Sequence, residues 1–165
     1  MDRAPRRRRL MRIRVVAVGT RMPAWVSEGV NEYQKRLPRD FSVDWIEIPP
    51  AKRNGERPEQ LKAKEANAIS RQLKADDRII ALDVAGKALS TEDMATSFQQ
   101  WQLERRTAVI VIGGPDGLDD ELLHRADNRW SLGRITLPHP LVRVILAEQL
   151  YRAWSINAQH PYHRG

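Results

Sequence analysis

The sequence predicts an α/β fold, with a mostly parallel sheet and helices on both faces. Apolar runs of strand length recur along the chain, and stretches with helical periodicity separate them. Such alternation is typical of βαβ units, in which a helix returns the chain between parallel strands. The length of 165 residues fits one domain with a sizeable core.

Five strands and five helices are expected, in strict alternation. The strands are predicted at residues 13–18, 43–48, 79–83, 109–112 and 134–137. The helices are predicted at residues 23–35, 58–73, 91–101, 119–126 and 140–156. Ser90 and Asp93 have the spacing of a capping box at the start of the third helix. Asp119 can cap the fourth helix, and Pro140 suits the first turn of the fifth because it has no N–H to lose.

The fifth predicted helix is almost wholly apolar. It carries too many apolar side chains for one stripe, so we expect burial on more than one side, with a second subunit as a candidate surface. Arg143, Glu148 and Arg152 interrupt the apolar run. A few fixed charges beside the Pro138-His139-Pro140 turn indicate that a site and an interface are built together.

The composition excludes several classes of protein. The chain has no cysteine, which excludes disulfides, thiolate zinc sites and a cysteine nucleophile and fits a reducing cytosol. No apolar run approaches the ~18 residues of a membrane span. The metal-ligand spacing His-x-x-x-His, the Walker A phosphate loop and the Gly-x-Ser-x-Gly elbow are all missing from the sequence.

Positive charge is concentrated at the start of the chain. The formal net charge is +7, and residues 1–10 hold +4 of it, which leaves +3 on residues 11–165. We expect residues 1–10 to form a disordered basic extension, either without a role or as an arm that contacts RNA phosphates. The segment 49–59 is the clearest loop, and it is either a solvated connection or a mobile basic loop that touches nucleic acid.

Three predicted strand ends can hold a ligand, because ligands of parallel sheets bind beyond the carboxyl ends of the strands. These ends are residues 81–87, 112–118 and 130–137. Gly113 and Gly114 let a ligand approach the backbone closely, although a structural turn explains them equally well. Residues 132–137 offer a backbone wall for an adenine-like ring, or they are only a short buried strand.

The four histidines differ in their surroundings. His124 lies in a polar helix and is expected at the surface. His139 is held between two prolines and can close a turn by hydrogen bonding. His160 and His163 lie in a terminal segment, 157–165, that is rich in groups able to bind or move protons.

These motifs together resemble the SPOUT-class RNA methyltransferases, and more closely the ribosomal RNA large-subunit methyltransferase H family. The similar segments are VAVGT at 16–20, IEIP at 46–49, LD and GK within 82–87, IGGPDGL at 112–118, LPHPLVRV at 137–144, EQLYRAW at 148–154 and HPYHR at 160–164. The resemblance runs from residue 11 to residue 164, and residues 1–10 fall outside it.

The resemblance implies a single SPOUT methyltransferase domain over residues 11–165 with a C-terminal trefoil knot. It implies a cytoplasmic homodimer packed through its C-terminal helices, with no metal and no membrane. It also implies that the enzyme uses S-adenosylmethionine to methylate N3 of a pseudouridine in 23S rRNA, on the 70S ribosome or large subunit.

The resemblance further implies that the cofactor lies in the loops of the knot. Its contacts would be Leu82, Gly113, Gly114, Leu132, Gly133, Arg134, Ile135, Thr136 and Leu137. Main-chain contacts are expected at Gly133 and Arg134. The modest charge of residues 11–165 suggests that both subunits and the shape of the ribosome contribute to substrate recognition.

Methylation of N3 requires loss of the ring proton, so it needs a base or a cation that stabilises the developing anion. His163 and Tyr162 are the candidates for holding the base and assisting proton loss. Arg152 and Arg143 are the candidates for binding a phosphate or a ring carbonyl. Two alternatives stay open: Arg143 pairs with Glu148 or with a partner subunit, and the tail around His163 only becomes ordered on RNA.

Three other functions compete with this interpretation. They are an RNA-binding assembly factor without activity, a small nucleotide-binding hydrolase, and a methyltransferase of the same class that acts on transfer RNA. The first leaves the 113–117 loop and the tail unexplained, and the second lacks phosphate-binding or metal residues. The similarity through the tail argues against the third.

Overall fold

A computed structural model describes residues 10–164, and it contains one five-stranded sheet in which every strand pair is parallel. In chain order the elements are β1 (Met11–Val18), α1 (Ala24–Gln34), β2 (Phe41–Ile48), α2 (Pro58–Ser70), β3 (Arg78–Ala88), α3 (Thr91–Leu103), β4 (Ala108–Ile112), α4 (Asp120–Arg125), β5 (Asn128–Ser131), α5 (His139–Asn157) and a 3-10 helix (Pro161–Arg164). The strand order is β2-β1-β4-β3-β5. The basic extension expected at residues 1–10 lies outside the described residues, apart from Leu10.

The core lies on both faces of this sheet. Side chains of a strand alternate between faces, so Ile13 and Val15 of β1 face one layer while Val16 and Val18 face the other. The first layer is built from α3 and α5, and α1 packs beside α5; the second contains α2 and α4. The prediction of a parallel sheet with helices on both faces is confirmed.

The fifth strand was predicted at the wrong place. Residues 134–137 form no strand, and β5 is Asn128–Ser131, which pairs with β3 at the edge of the sheet. An edge strand tolerates polar residues, and β5 was missed because Asn128 and Arg129 interrupt any apolar run there. Gly133, at φ +135°, then turns the chain into an exposed loop in which Ile135 is 80% exposed. The alternative of a short buried strand at residues 132–137 is therefore also wrong.

The predicted helix caps are present. The Ser90 Oγ accepts a hydrogen bond from the Asp93 N–H at 3.0 Å, and the Asp93 carboxylate accepts one from the Ser90 N–H at 3.3 Å. Asp119 accepts a bond from the Glu121 N–H at the start of α4. Pro140 lies in the first turn of α5, where its missing N–H leaves no bond unmade. These local signals fix where three of the helices begin.

Helix α5 is buried on more than one side, as expected. It packs against α1 and α3 and contributes Leu146, Leu150 and Ala153 to the core under the sheet. These surfaces belong to the same chain. Leu141, near the start of α5, is 37% exposed. Within residues 10–164, no helix combines the length and the apolar character that crossing a membrane requires.

Candidate active site

A cavity of about 810 Å³ opens at the carboxyl ends of the strands. Its walls come mainly from the segment after β1, residues 82–84 within β3, the loops after β4 and β5, and the first turn of α5. Apolar side chains and backbone dominate the walls, and Asp83 and Asp116 supply carboxylates. A concave, mostly apolar site of this size suits a drug-sized ligand or cofactor.

Most of the residues predicted to bind the cofactor meet at this cavity. Seven of the nine line it: Leu82, Gly113, Gly114, Leu132, Gly133, Ile135 and Leu137. Arg134 and Thr136 are exposed in the same loop and are not among the lining residues. The structure therefore brings three separate strand ends to one place, as the position of ligand sites in parallel sheets suggested.

The two glycines of the β4 loop are closely packed: Gly113 has no room for a side chain, and Gly114 has little. A Cβ on Gly113 would lie 2.8 Å from the backbone carbonyl carbon of Gly117. A Cβ on Gly114 would lie 3.1 Å from a carboxylate oxygen of the buried Glu65 and 3.2 Å from Val18. The loop thus presents its backbone to the cavity, which leaves room for a ligand to approach main-chain N–H and C=O groups.

His139 and Arg143 join the start of α5 to three other parts of the sheet edge. The Arg143 Nε donates to the His139 Nε2 at 2.7 Å, and its other two nitrogens donate to the Glu47 carboxylate at 2.7 Å and to the Gly19 carbonyl at 2.8 Å. On the far side of the imidazole, the His139 Nδ1 lies 3.3 Å from the Gly113 carbonyl. Because Nε2 accepts a bond from Arg143, Nδ1 must carry the proton and donate to Gly113.

Burial of the ring lowers the pKa of His139 below its ordinary value of 6.5, and the positive charge of Arg143 adds to this effect. The imidazole is therefore neutral at neutral pH, in agreement with its hydrogen bonds. The proposed ion pair of Arg143 with Glu148 is wrong: the side chain of Arg143, only 5% exposed, pairs with Glu47 instead. All three of its nitrogens are occupied within the chain.

The C-terminal residues gather around Glu148, at a distance from the cavity. The Glu148 carboxylate accepts from the Arg152 Nε at 2.7 Å and from the Tyr162 hydroxyl at 3.1 Å. The Arg152 guanidinium lies 4.9 Å from the centre of the Tyr162 ring. Tyr151 packs against the same ring, with centroids 4.5 Å apart. Three groups from one helix therefore hold the tail against α5.

Burial and, after it, the neighbouring Glu148 carboxylate together raise the pKa of Tyr162 to about 12. The phenol keeps its proton at physiological pH. In this arrangement Tyr162 is a hydrogen-bond donor and a packing surface, and it is not a proton acceptor.

His163 lies on the short terminal helix and is partly exposed. Its Nδ1 bonds to the His160 carbonyl at 2.5 Å, which fixes the ring and leaves Nε2 without a hydrogen-bond partner among residues 10–164. The preceding His160 packs against Tyr151 and Trp154. The tail of the described chain is thus ordered on the protein itself, through aromatic contacts.

The tail and the cavity lie at opposite ends of α5. His139 and Val142 line the cavity, whereas Arg152 and the tail pack near the other end. Thirteen residues separate His139 from Arg152, which corresponds to about 20 Å along the helix axis. Of the four predicted catalytic residues, Arg143 lies beside the cavity, and Arg152, Tyr162 and His163 lie together elsewhere.

Sequence reasoning missed three residues of these clusters. Glu47 was not singled out, although it lies in the IEIP segment. Arg36, just after α1, was also missed; its guanidinium lies over the rings of Tyr33, Tyr151 and Tyr162. Glu148 was noted only as a charge and not as the acceptor at the centre of the tail. No periodicity in the sequence could have shown these contacts between distant segments. Among residues 10–164, His, Asp and Glu form no group able to hold a metal ion.

Comparisons with known proteins fit this geometry. A family model described as "Predicted SPOUT methyltransferase" matches residues 11–163. Among solved structures, a protein from Neisseria gonorrhoeae described as belonging to a methylase family superposes with a TM-score of 0.50 over 90% of this chain and 85% of that one. At 13% identity, this likeness shows the fold alone.

Several curated relatives are much more similar in sequence. The Ribosomal RNA large subunit methyltransferase H of Chromohalobacter salexigens is 54% identical over 156 residues, covering 93% of this chain and all of the relative. Proteins of the same name from Marinomonas sp. and Hahella chejuensis are each 48% identical, over 93% of this chain and at least 99% of their own length. The chain belongs to the SPOUT methyltransferases and, within them, to the ribosomal RNA large subunit methyltransferase H family.

Proposed function

We propose that this protein transfers a methyl group from S-adenosylmethionine to N3 of a pseudouridine in 23S rRNA, on the 70S ribosome or the large subunit. The observation that carries the proposal is the cavity formed by Leu82 of β3 and the loops after β4 and β5, where seven of the nine expected cofactor residues lie. The relatives that share about half of its residues are named as large-subunit methyltransferases, which supports the RNA class. We place the protein in the cytoplasm for the same reason.

The chain's own residues fit the cofactor. When bound, S-adenosylmethionine supplies an electrophilic methyl group carried on a sulfonium. Gly113 and Gly114 let the ligand approach the backbone, and Leu82, Leu132 and Leu137 give it apolar walls. His139 donates a hydrogen bond to the Gly113 carbonyl and so fixes the position of this loop. Alignment of the reacting groups in such a site can lower the barrier by roughly 7–11 kcal/mol at best.

The tail cluster supplies the groups that handle the N3 proton. We assign proton acceptance to His163, whose Nδ1 is held by the His160 carbonyl so that Nε2 points away from that bond. Tyr162 keeps its own proton and positions the tail through Glu148. Arg152, beside them, provides positive charge for a ring carbonyl or a phosphate as the N3 proton leaves. We assign Arg143 to the support of the cavity rather than to direct contact with RNA, because its nitrogens are already bonded within the chain.

A homodimer reconciles these two clusters. Within one chain they lie about 20 Å apart along α5, so a single subunit does not unite them. Helices α1 and α5 touch where Gly29 meets Val144. About one turn before this contact, each helix carries a large apolar side chain at the surface: Trp25 is 50% exposed and Leu141 is 37% exposed. We propose that a second copy covers this apolar surface and brings its own tail to the cavity of the first.

Mixed dimers test the shared site. A Gly113→Ala chain lacks a working cavity, and an Arg152→Ala chain lacks a working tail. If the tail acts across the dimer, each mixed dimer retains one complete site, so co-expressed chains regain about a quarter to a half of the activity. If the tail acts within its own chain, the mixture stays inactive, and the composite site is refuted.

The reaction itself is tested with ribosomes from a strain that lacks the gene. The purified protein and labelled S-adenosylmethionine should add one methyl group to 23S rRNA, and mass spectrometry of nuclease fragments should place it on N3 of a pseudouridine. Removal of residues 160–165 should abolish transfer and leave cofactor affinity nearly intact. Methylation of transfer RNA instead would show that the proposed substrate is wrong. Normal turnover by the truncated protein would show that the tail takes no part in the reaction.

We also propose that residues 11–165 form one SPOUT methyltransferase domain with a C-terminal trefoil knot. The path of the chain supports it: after β5 at the sheet edge, the chain returns to the middle of the sheet, where His139 contacts Gly113. An experimental density map traced from residue 118 to residue 157 would show whether the chain passes through the loop.

A further inference from the structure

The net positive charge of the described chain comes from one part of the fold. Residues 50–75, which comprise the loop before α2, α2 itself and the turn after it, carry seven Lys or Arg and three Glu, a net charge of +4. The other residues of 10–164 together have a net charge of −1. A region that carries all the surplus positive charge of a small domain is an electrostatic footprint for a polyanion.

Within this region, exposed side chains form a stripe along α2. Positions 57, 60, 64, 67 and 71 follow the spacing of one helix face and span an arc of about 80°. We call them the α2 stripe: Arg57, Gln60, Lys64, Asn67 and Arg71, all exposed. Every one of these side chains can donate a hydrogen bond to a phosphate, and none is acidic. The neighbouring stripe of Leu61, Glu65 and Ile69 is buried against the sheet.

The loop that leads into the α2 stripe starts at the rim of the cofactor cavity. Pro50 lines the cavity, and the Ala51 N–H donates to the Glu65 carboxylate at 3.0 Å. Glu65 is itself buried, beside Gly114. Arg53 forms a 3.0 Å ion pair with Asp116, another residue of the cavity wall. The loop is therefore fastened to the cavity by a buried carboxylate and a surface ion pair.

We propose that the α2 stripe binds the RNA backbone and guides it to the cavity. The stripe extends about 21 Å from Arg57 to Arg71, long enough to contact several successive phosphates. Because α2 leads from the cavity edge toward the opposite edge of the sheet, RNA on the stripe would have one end at the cavity. Among the residues that the structure describes, Lys64 pairs only with Glu56, in a solvent-accessible ion pair that a phosphate can replace at little cost.

This proposal rests on the proposed function for the identity of the RNA, and it adds a surface that the cofactor cavity and the tail do not provide. Phosphate contacts position a nucleic acid without reading its sequence. The stripe should therefore affect affinity for the substrate and leave cofactor binding and the chemical step alone.

The test uses the triple variant Arg57→Gln, Lys64→Gln, Arg71→Gln in the full chain. A matched control, Arg39→Gln with Arg105→Gln, removes two exposed cations that precede β2 and β4 and so lie at the amino edge of the sheet. Binding to purified large ribosomal subunits is measured from 50 to 300 mM KCl, cofactor affinity by calorimetry, and methyl transfer by steady-state kinetics.

We expect the triple variant to bind large subunits about tenfold more weakly at 150 mM KCl. The slope of the logarithm of the association constant against the logarithm of the KCl concentration should become shallower by about two. KM for the ribosomal substrate should rise while kcat and cofactor affinity stay unchanged, and the control should resemble the wild type. An unchanged salt slope, or an equal effect in the control, overturns the inference. Absence of methyl transfer by the wild type would instead refute the proposed function, because binding and its salt slope are measured without turnover.

Discussion

Substitution of one glycine tests the geometry of the cofactor cavity. In Gly113→Ala the new Cβ would lie 2.8 Å from the Gly117 carbonyl carbon, whereas ordinary contact begins near 3.4 Å. The loop must therefore open by at least about 0.6 Å, and backbone cannot rotate away as a side chain can. Overpacking of this kind costs about 1–3 kcal/mol. Because the loop forms part of the cavity wall, we expect cofactor affinity to fall about tenfold or more, in line with about 1.4 kcal/mol.

Calorimetric titration with S-adenosylmethionine measures this loss, and circular dichroism checks that the variant remains folded. Gly55→Ala is the control: no atom lies within 4 Å of the Cβ added at Gly55, although its backbone, at φ +76°, is strained for alanine. The control should lose about 1 kcal/mol of stability and keep its cofactor affinity. If Gly113→Ala bound the cofactor within twofold of the wild type, the assignment of this loop to the cofactor site would be wrong.

Three further substitutions test other parts of the structure. Tyr162→Phe removes the hydroxyl bond to Glu148 and keeps the ring, so methyl transfer should fall severalfold with cofactor affinity unchanged. The pKa of His139 is lowered, so its contribution to the free energy of unfolding is present above pH 6.5 and is lost as pH falls below that value. In His139→Gln, the free energy of unfolding, measured with denaturant, should therefore decrease less between pH 7.5 and 5.5 than in the wild type. Leu146→Ala empties a fully buried site under α5 and should cost about 3 kcal/mol of unfolding free energy, whereas Leu103→Ala, at a position 56% exposed, should cost well under about 1 kcal/mol.

Each of these substitutions has a result that would count against the account. Full activity in Tyr162→Phe would show that the hydroxyl does not position the tail. An identical pH dependence in His139→Gln would mean that this imidazole does not titrate with folding. A loss below about 1 kcal/mol in Leu146→Ala would mean that α5 is not packed as described.

The sequence indicated most of the fold because its signals are local. Buried central strands such as β4 are short apolar runs, and the caps at Ser90 and Asp119 mark helix starts whatever lies around them. The edge strand β5 is not an apolar run, so the same signal did not reveal it. Asn128 and Arg129 are polar, which an edge strand tolerates because it pairs on one side only. Its place is determined by pairing with β3, a contact between distant segments.

The candidate site was predictable to the extent that topology governs it. The carboxyl ends of parallel strands meet at one edge, so the Gly113 loop and the residues around Leu132 were expected together and are found together. The partner of Arg143 was not predictable, since Glu47 lies 96 positions away and only the folded sheet brings it near. The contact between Tyr162 and Glu148 was likewise not predictable, because it depends on how the chain folds back after α5.

We propose that Leu82 of β3 and the loops after β4 and β5 together hold a methyl donor. A crystal soaked with S-adenosylmethionine tests it most directly. We expect density for one cofactor per chain, in contact with Leu82, the Gly113 backbone and the residues around Leu132. Density at another surface, or crystals that bind the molecule nowhere at saturating concentration, would contradict it.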